Sequence, residues 1–132
     1  MKRVLAACIV VLLACGCARS RVSSASMGDA KEVCIIENPR VRSDFLEAYQ
    51  QALAARGYST KLLSGSSSLS ACPIVSKYVA YWGWDVVLYL QSASLYVYRD
   101  GRPAGHAVFD ARSSRLFSTE GKLRELVAQL YP

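Results

Sequence analysis

Residues 93–109 read ASLYVYRDGRPAGHAVF, two alternating stretches on either side of an Asp-Gly pair. An Asp-Gly pair in this setting predicts a β-hairpin. A three-residue loop with Gly101 in the left-handed conformation would place small and apolar side chains together on the inner face: Ala93, Leu95, Val97, Gly105, Ala107 and Phe109. The same register turns four other side chains outward: Tyr96, Tyr98, His106 and Asp110. A two-residue loop would instead bury His106 beside Leu95 without a partner, so we favour the three-residue loop.

The segment upstream predicts a parallel unit. Residues 33–36 are a short apolar strand, and Asn38 and Pro39 supply a helix N-cap and a proline at the first helical position. The apolar residues that follow recur at helical spacing: Val41, Phe45, Leu46, Tyr49, Ala52 and Leu53. Gly57 ends this helix, and residues 58–63 are the second strand, parallel to the first.

The remaining segments complete one α+β domain, residues 31–132. A serine-rich loop, residues 64–70, precedes two long strand-like stretches, 74–84 and 86–98, with a bend or bulge near Gly83 and Asp85. A last helix follows a cap at Ser118 or Thr119, with apolar residues at helical spacing: Leu123, Leu126, Val127, Leu130 and Tyr131. The expected fold is a single mixed, mostly antiparallel sheet of about five strands in the order β-α-β-β-β-β-α, with two helices packed on one face.

The N-terminus is typical of a secretory signal. Lys2 and Arg3 precede an apolar run from Val4 to Ala14, which is shorter than the roughly 20 residues that a membrane span needs. The run ends in LLACGC, residues 12–17, which resembles the lipobox of bacterial lipoproteins. We therefore expect a lipoprotein signal peptide over residues 1–16.

Two cysteines fit the lipidated position, Cys17 and the alternative Cys15. We favour Cys17 because its use removes Cys8 and Cys15 with the signal and leaves two of the five cysteines, Cys34 and Cys72, to form a disulfide bond. Two separate buried thiols are the alternative to that bond. Lipidation at Cys15 would leave Cys17 as an extra thiol.

The residue that follows the lipidated cysteine indicates the destination of the protein. Ala18 follows Cys17, and an aspartate there would resemble an inner-membrane retention signal. We expect a palmitate-bearing lipoprotein on the periplasmic face of the outer membrane. Residues 17–30, rich in Ser, Ala and Arg without a hydrophobic period, predict a flexible tether.

The charge of the chain does not favour a nucleic-acid partner. The formal net charge is +6, and removing Lys2 and Arg3 with the signal lowers it to +4. The other basic residues are scattered rather than interleaved with aromatic residues, which is typical of a solvated surface.

Four motifs carry a resemblance to a known family. They are CIIENPRV at residues 34–41, YWGWD at 81–85, YRDGR at 98–102 and FDAR at 109–112, and the chain closes on LYP. Together they resemble a family of small proteobacterial lipoproteins of unknown function, over nearly the whole mature domain. The resemblance implies a fold and an envelope location rather than an activity. Family members often carry a glycine-rich stretch after Asp-Ala-Arg, whereas residues 113–119 here are short and mostly lack glycine.

The sequence offers little for catalysis. His106 is the one histidine of the chain, and Asp110, four residues further along the same strand, would lie about 13 Å away, too far for a direct relay. With the cysteines assigned to lipid and disulfide, we expect no catalytic residues, no metal site and no cofactor. A small periplasmic hydrolase using His106 and Asp110 is the least favoured alternative.

Aromatic residues are the remaining functional signal. They crowd into the central strands at Tyr78, Tyr81, Trp82, Trp84, Tyr89, Tyr96 and Tyr98. Alternation cannot bury all of them in one small core, so we expect some to line the face opposite the helices. Candidate binding residues are Tyr96, Tyr98, Trp82 and Trp84. We predict a non-catalytic domain that contacts an envelope protein or peptidoglycan; the alternative is a small-molecule or lipid carrier with its ligand between sheet and helices.

Overall fold

The computed structural model describes residues 19–110 and 118–132, and the predicted signal peptide and both candidate lipidation sites, Cys15 and Cys17, lie outside these residues. The described elements are β1 (Arg19–Ser23), β2 (Glu32–Ile36), α1 (Ser43–Ala55), β3 (Ser59–Leu63), β4 (Ile74–Asp85), β5 (Val87–Arg99), β6 (Arg102–Asp110) and α2 (Thr119–Leu130). The six described strands form one sheet in the order β1-β6-β5-β4-β2-β3. Strand β2 pairs in parallel with β3 and β4, and the other pairs are antiparallel. The predicted α+β class is confirmed, with one strand more than expected.

The β5–β6 hairpin has the predicted register but a different loop. Leu95 lies opposite Ala107, and Val97 lies opposite Gly105. The loop itself has two residues, Asp100 and Gly101, both with positive φ, as a type I′ turn requires. The additional residue lies further along β6, where a bulge shifts the register between Val97 and Tyr98.

Helix α1 begins later than predicted. It starts at Ser43, and Arg42 precedes it without a side-chain cap. Asn38 is not the cap: its Oδ1 accepts a hydrogen bond from the Arg40 amide, and its side-chain amide donates to the Tyr78 carbonyl. These bonds stabilise a turn after β2. Because the Asn38 side chain is already hydrogen-bonded in this turn, it is not available to cap the helix.

Both described helices pack on one face of the sheet, which we call the helix face. Phe45, Tyr49 and Leu53 of α1 and Leu123 and Leu126 of α2 are fully buried there. Of the two predicted caps, Ser118 and Thr119, Ser118 caps α2, since its side chain accepts a hydrogen bond from the Gly121 amide. Neither helix in the described part of the chain has the length and apolarity needed to cross a bilayer.

A buried hydroxyl network joins α1, β4 and the C-terminus. The Tyr49 hydroxyl lies 2.7 Å from the Ser76 Oγ and 2.6 Å from the Tyr131 hydroxyl. Burial raises the pKa of Tyr131 to about 12 and raises that of Tyr49 well above its usual value. Both phenols are therefore neutral in the folded protein, and their hydroxyls satisfy one another and Ser76 in the core.

The segment predicted to be a flexible tether is in large part ordered structure. Residues 19–23 form strand β1 on β6. The next residues are held between β6 and the end of α2, because the Ser26 amide donates to the Ala104 carbonyl and the Ala25 amide donates to the Leu130 carbonyl. Ala25 and Met27 are buried in the core. A Cβ at Gly105 would lie 2.6 Å from the Ala25 Cα, so this close approach requires glycine on β6. The predicted 17–30 tether is corrected on this point: the domain begins by residue 19.

The predicted Cys34–Cys72 disulfide bond is present, with the two Cα atoms 6.3 Å apart. It ties the serine-rich loop onto the outer face of the sheet, the face opposite the helices. A second, smaller core forms beneath that loop from Cys34, Ile36 and Val75. Strand β2, which pairs in parallel on both sides, is therefore covered on both faces.

Candidate functional site

The four candidate binding residues do not share a face. Residues Trp82 and Trp84 alternate with the buried Ala80 and lie on the helix face, whereas Tyr96 and Tyr98 alternate with the buried Leu95 and Val97 and lie on the outer face. The register pairs even-numbered residues of β4 with odd-numbered residues of β5 up to Tyr81. Even-numbered residues of the two strands therefore point in opposite directions. The single binding face predicted from these four residues is wrong.

Tyr98 serves the second core. It is half-buried and packs against the small cluster beneath the disulfide-bonded loop. Its ring covers apolar surface that would otherwise face water. Tyr98 therefore belongs to the packing of the second core.

Tyr96 lies at the centre of an uncovered area that we call the open face. A row of directly paired residues crosses four strands there: Lys77, Tyr96, His106 and Ser23. The Tyr96 ring stacks on the His106 imidazole, with centroids 4.6 Å apart and planes 17° from parallel. The neighbouring row is Val79, Ser94, Val108 and Arg21. No described helix packs on these two rows, whose side chains are half-buried or exposed.

The end of the β4–β5 hairpin is the second exposed area, and we call residues 81–89 the β4–β5 tip. Its apolar side chains stand largely in solvent: Tyr81 is 63% exposed, Trp84 74%, Val86 82%, Val87 52% and Leu88 47%. Monomeric soluble proteins rarely leave such a group of large apolar side chains uncovered. The sequence did carry a signal for it, since the unbroken apolar run at 86–90 cannot face a single core from one strand.

The backbone of the β4–β5 tip is tightly folded. Val86 has φ of 64°, in the left-handed region that a β-branched residue seldom adopts. A Cβ at Gly83 would lie 2.5 Å from the Tyr89 ring. Gly83 therefore lets the ring of Tyr89 lie directly across β4.

Trp82 connects the β4–β5 tip to α1. Its ring meets the edge of Phe45 at 5.9 Å between centroids, and the Arg42 guanidinium lies 5.5 Å from its centroid. Arg42 also forms a salt bridge of 2.8 Å with Asp44. The hydrogen bond from Arg42 lowers the pKa of the Asp44 carboxyl and raises that of the guanidinium. Trp82 is thus a structural residue at the base of the tip, whereas Trp84 stands in solvent at its end.

The residues considered for catalysis are not assembled into a site. His106 and Asp110 lie in the same strand opposite Tyr96 and Ser92. The buried His106 Nε2 has no hydrogen-bond partner among the described residues. In the same part of the chain, no group of three His, Cys, Asp or Glu side chains could hold a metal ion.

A surface cleft of about 570 Å³ lies where β2 ends. Pro39, Val41 and Leu46 line its apolar side, and Glu37, Ser43 and Ser64 are among its polar residues. The Tyr78 hydroxyl at its edge accepts a hydrogen bond from the Asn38 amide. The cleft opens beside α1 and not between the helices and the sheet, where the predicted carrier would have held its ligand.

Comparison with known proteins gives a fold and no family. No protein-family model matches the chain, and no curated protein is similar to it in sequence. Among solved structures, the chain resembles PelC from Paraburkholderia phytofirmans, crystallised as a dodecamer, with a TM-score of 0.63 and 11% identity over 86% of this chain and 98% of PelC. A second crystal form, of a point variant of the same dodecamer, gives the same values. At this identity the likeness shows the fold alone.

Proposed function

We propose that this protein is a lipid-anchored lipoprotein on the periplasmic face of the outer membrane, and that its domain is a non-catalytic binding module for an envelope protein. The proposed location and lipid anchor rest on the signal and lipobox pattern of residues 1–17. The binding role rests on the open face. No cofactor takes part in this proposal.

The contrast between the two parts of the outer face carries the proposal. Where the sheet is parallel, a disulfide-bonded loop covers it; where it is antiparallel, Tyr96 and His106 form a flat stacked pair flanked by Lys77 and Arg21. Aromatic side chains with a polar group and nearby cations are enriched at protein interfaces. The open face therefore offers an aromatic centre and a polar rim.

A photo-crosslinking experiment in intact envelopes tests this proposal. A photoreactive residue at Tyr96 or at Val108 should give the same protein adduct, because both positions lie on the open face. The matched control is Gln51, exposed on α1 on the other side of the molecule, which should give none. Equal adducts from all three positions, or none from the open face, would contradict the proposal, as would an adduct released by digestion of peptidoglycan. Since PelC forms a dodecamer, an adduct of twice the chain mass would identify a second copy as the partner.

Metabolic labelling with a fatty-acid analogue tests the anchor separately. Label should disappear in Cys17→Ser and persist in Cys15→Ser. The opposite result would move the anchor to Cys15, and label in neither wild type nor variant would contradict a lipoprotein.

The surface cleft supports a second candidate function, the binding of a small apolar molecule or lipid. Its apolar wall of Pro39, Val41 and Leu46 is the observation that favours it. Native mass spectrometry of protein purified from envelopes should then show an added mass that Val41→Trp, which fills the cleft, removes. Identical spectra from wild type and variant would exclude this candidate.

A further inference from the structure

The β4–β5 tip projects from the same end of the sheet at which β1 begins. Arg19, the first residue of β1, pairs with Asp110; Asp110 pairs with Ser92, and Ser92 with Tyr81. These four residues form one row across the sheet. The described parts of β1 and β6 end at this row, whereas the hairpin continues to Val86 and returns.

The candidate lipid attachment site is close in sequence to the start of β1, at the end of the sheet from which the tip projects. Cys17 precedes Arg19 by two residues, a reach of about 7 Å. Strands β1 and β4 are three strand spacings apart in the sheet order, about 14 Å at the usual spacing. The tip extends about 15 Å beyond the row at the rise of a β-strand. A surface that holds the lipid at Cys17 thus lies within reach of the tip.

The chemistry of the tip matches a lipid surface. Trp84 and Leu88 are cross-strand neighbours, 74% and 47% exposed, and Val86 at the turn is 82% exposed. Tryptophan is favoured at the boundary between headgroups and acyl chains, and aliphatic side chains are favoured just below it. Asparagine or glycine would suit the left-handed position of Val86 better in water, so an apolar residue there fits a turn that leaves water.

We propose that the β4–β5 tip inserts into the bilayer surface that holds the N-terminal lipid, an inference that rests on the anchor proposed above. Trp84, Val86 and Leu88 enter the headgroup and upper acyl region, and no strand crosses the bilayer. A lipid and a shallow apolar tip are two attachments, and two hold a protein more stably than one. They also orient the domain, with the strands standing towards the membrane and the open face turned sideways into the periplasm.

Quenching by brominated phospholipids tests the insertion in the lipidated, full-length mature protein. Trp82→Phe leaves Trp84 as the one tryptophan, and in phosphatidylcholine vesicles its fluorescence should shift to the blue and be quenched by bromines on the upper acyl chain. The matched control carries its one tryptophan at the opposite end of the sheet, as Trp82→Phe/Trp84→Phe/Arg102→Trp. Quenching should be at least about twofold stronger at Trp84 than at the control position.

The outcomes separate the tip from the anchor. Acylated, vesicle-bound protein with Trp84 unquenched, or quenched no more than the control, would overturn insertion of the tip and leave the anchor standing. Mature protein whose mass shows no acyl chain would overturn both. A crosslink from position 84 to a second copy, without quenching, would assign the tip to self-association and overturn the inference. Circular dichroism of each variant verifies that quenching is compared between folded proteins.

Discussion

The parallel and antiparallel halves of this sheet differ in how their faces are covered. On the parallel half, β2 lies between α1 and the disulfide-bonded loop, so both of its faces are buried. On the antiparallel half, α2 packs near β1 and β6, and the outer face remains open. Parallel strands generally require cover on both faces, whereas antiparallel strands tolerate one solvated face. The exposed aromatic side chains of the described strands lie where the pairing tolerates exposure, and the proposed contacts lie there too.

The largest expected effect is the loss of the cover on the parallel half. The Cys34→Ala/Cys72→Ala variant opens a loop with a sequence separation of 38 residues and should lower the free energy of unfolding by about 3 to 4 kcal/mol. Urea denaturation followed by circular dichroism measures this loss. Reduced wild-type protein is the control and should lose a similar amount. If both remain as stable as the oxidised protein, the loop does not depend on the bond.

Two tyrosines of β5 allow the covered and the open part of the outer face to be compared within one strand. Tyr98→Ser uncovers the second core and should cost about 2 to 3 kcal/mol. Tyr96→Ser, two residues away on the open face, should cost under about 1 kcal/mol because it loses one ring contact in water. Thermal unfolding of the two variants side by side measures the difference. Equal losses would show that the two halves of the outer face are equally structural.

Gly105→Ala tests how firmly the N-terminal segment is held on the antiparallel half. The added methyl group meets the backbone of Ala25, so the segment must move away and stability should fall by about 1 to 2 kcal/mol. Hydrogen exchange should then become faster at the Ala25 amide, which bonds to Leu130, and stay unchanged in β2. Unaltered exchange at the Ala25 amide would contradict this packing and would favour the flexible tether that the composition predicts.

A small effect at neutral pH is expected from the hydroxyl network between α1 and the C-terminus. Tyr131→Phe should cost about 1 kcal/mol at pH 7. Because the pKa of Tyr131 is raised to about 12 in the folded protein, its neutral form contributes full stability below the unfolded pKa near 10, and this contribution is lost as the pH rises from there towards 12. Wild-type melting temperature should therefore fall more steeply than that of Tyr131→Phe over this range. Parallel curves would mean that Tyr131 does not titrate with folding.

Local patterns were sufficient for the register of the β5–β6 hairpin, though not for its loop, and for the second helix; the number of cysteines was sufficient for the disulfide bond. Alternation around Asp100-Gly101 has one register that buries Leu95 and Ala107 together, and Ser118 provides the side-chain oxygen that a helix start requires. The hairpin and the helix start depend on residues close in sequence, and the disulfide bond depends only on the pairing of Cys34 with Cys72.

Two features depended on partners far along the chain and were missed. Strand β1 has little hydrophobic pattern, and it forms because β6 offers an unpaired edge. The opposite faces of Trp84 and Tyr96 follow from the register of β4 on β5, which pairs even-numbered residues of β4 with odd-numbered residues of β5 up to Tyr81. A shift of one residue in this register would reverse the relation, and the alternation within each strand does not determine the register between them.

The place of β1 in the sheet also affects the order of folding. It is the first of the described strands to be made, yet its sheet neighbour is β6, the last of them along the chain. Residues 19–23 therefore cannot pair until β6, and with it nearly the whole domain, has been synthesised. Strand pairing between residues so far apart in sequence is slow.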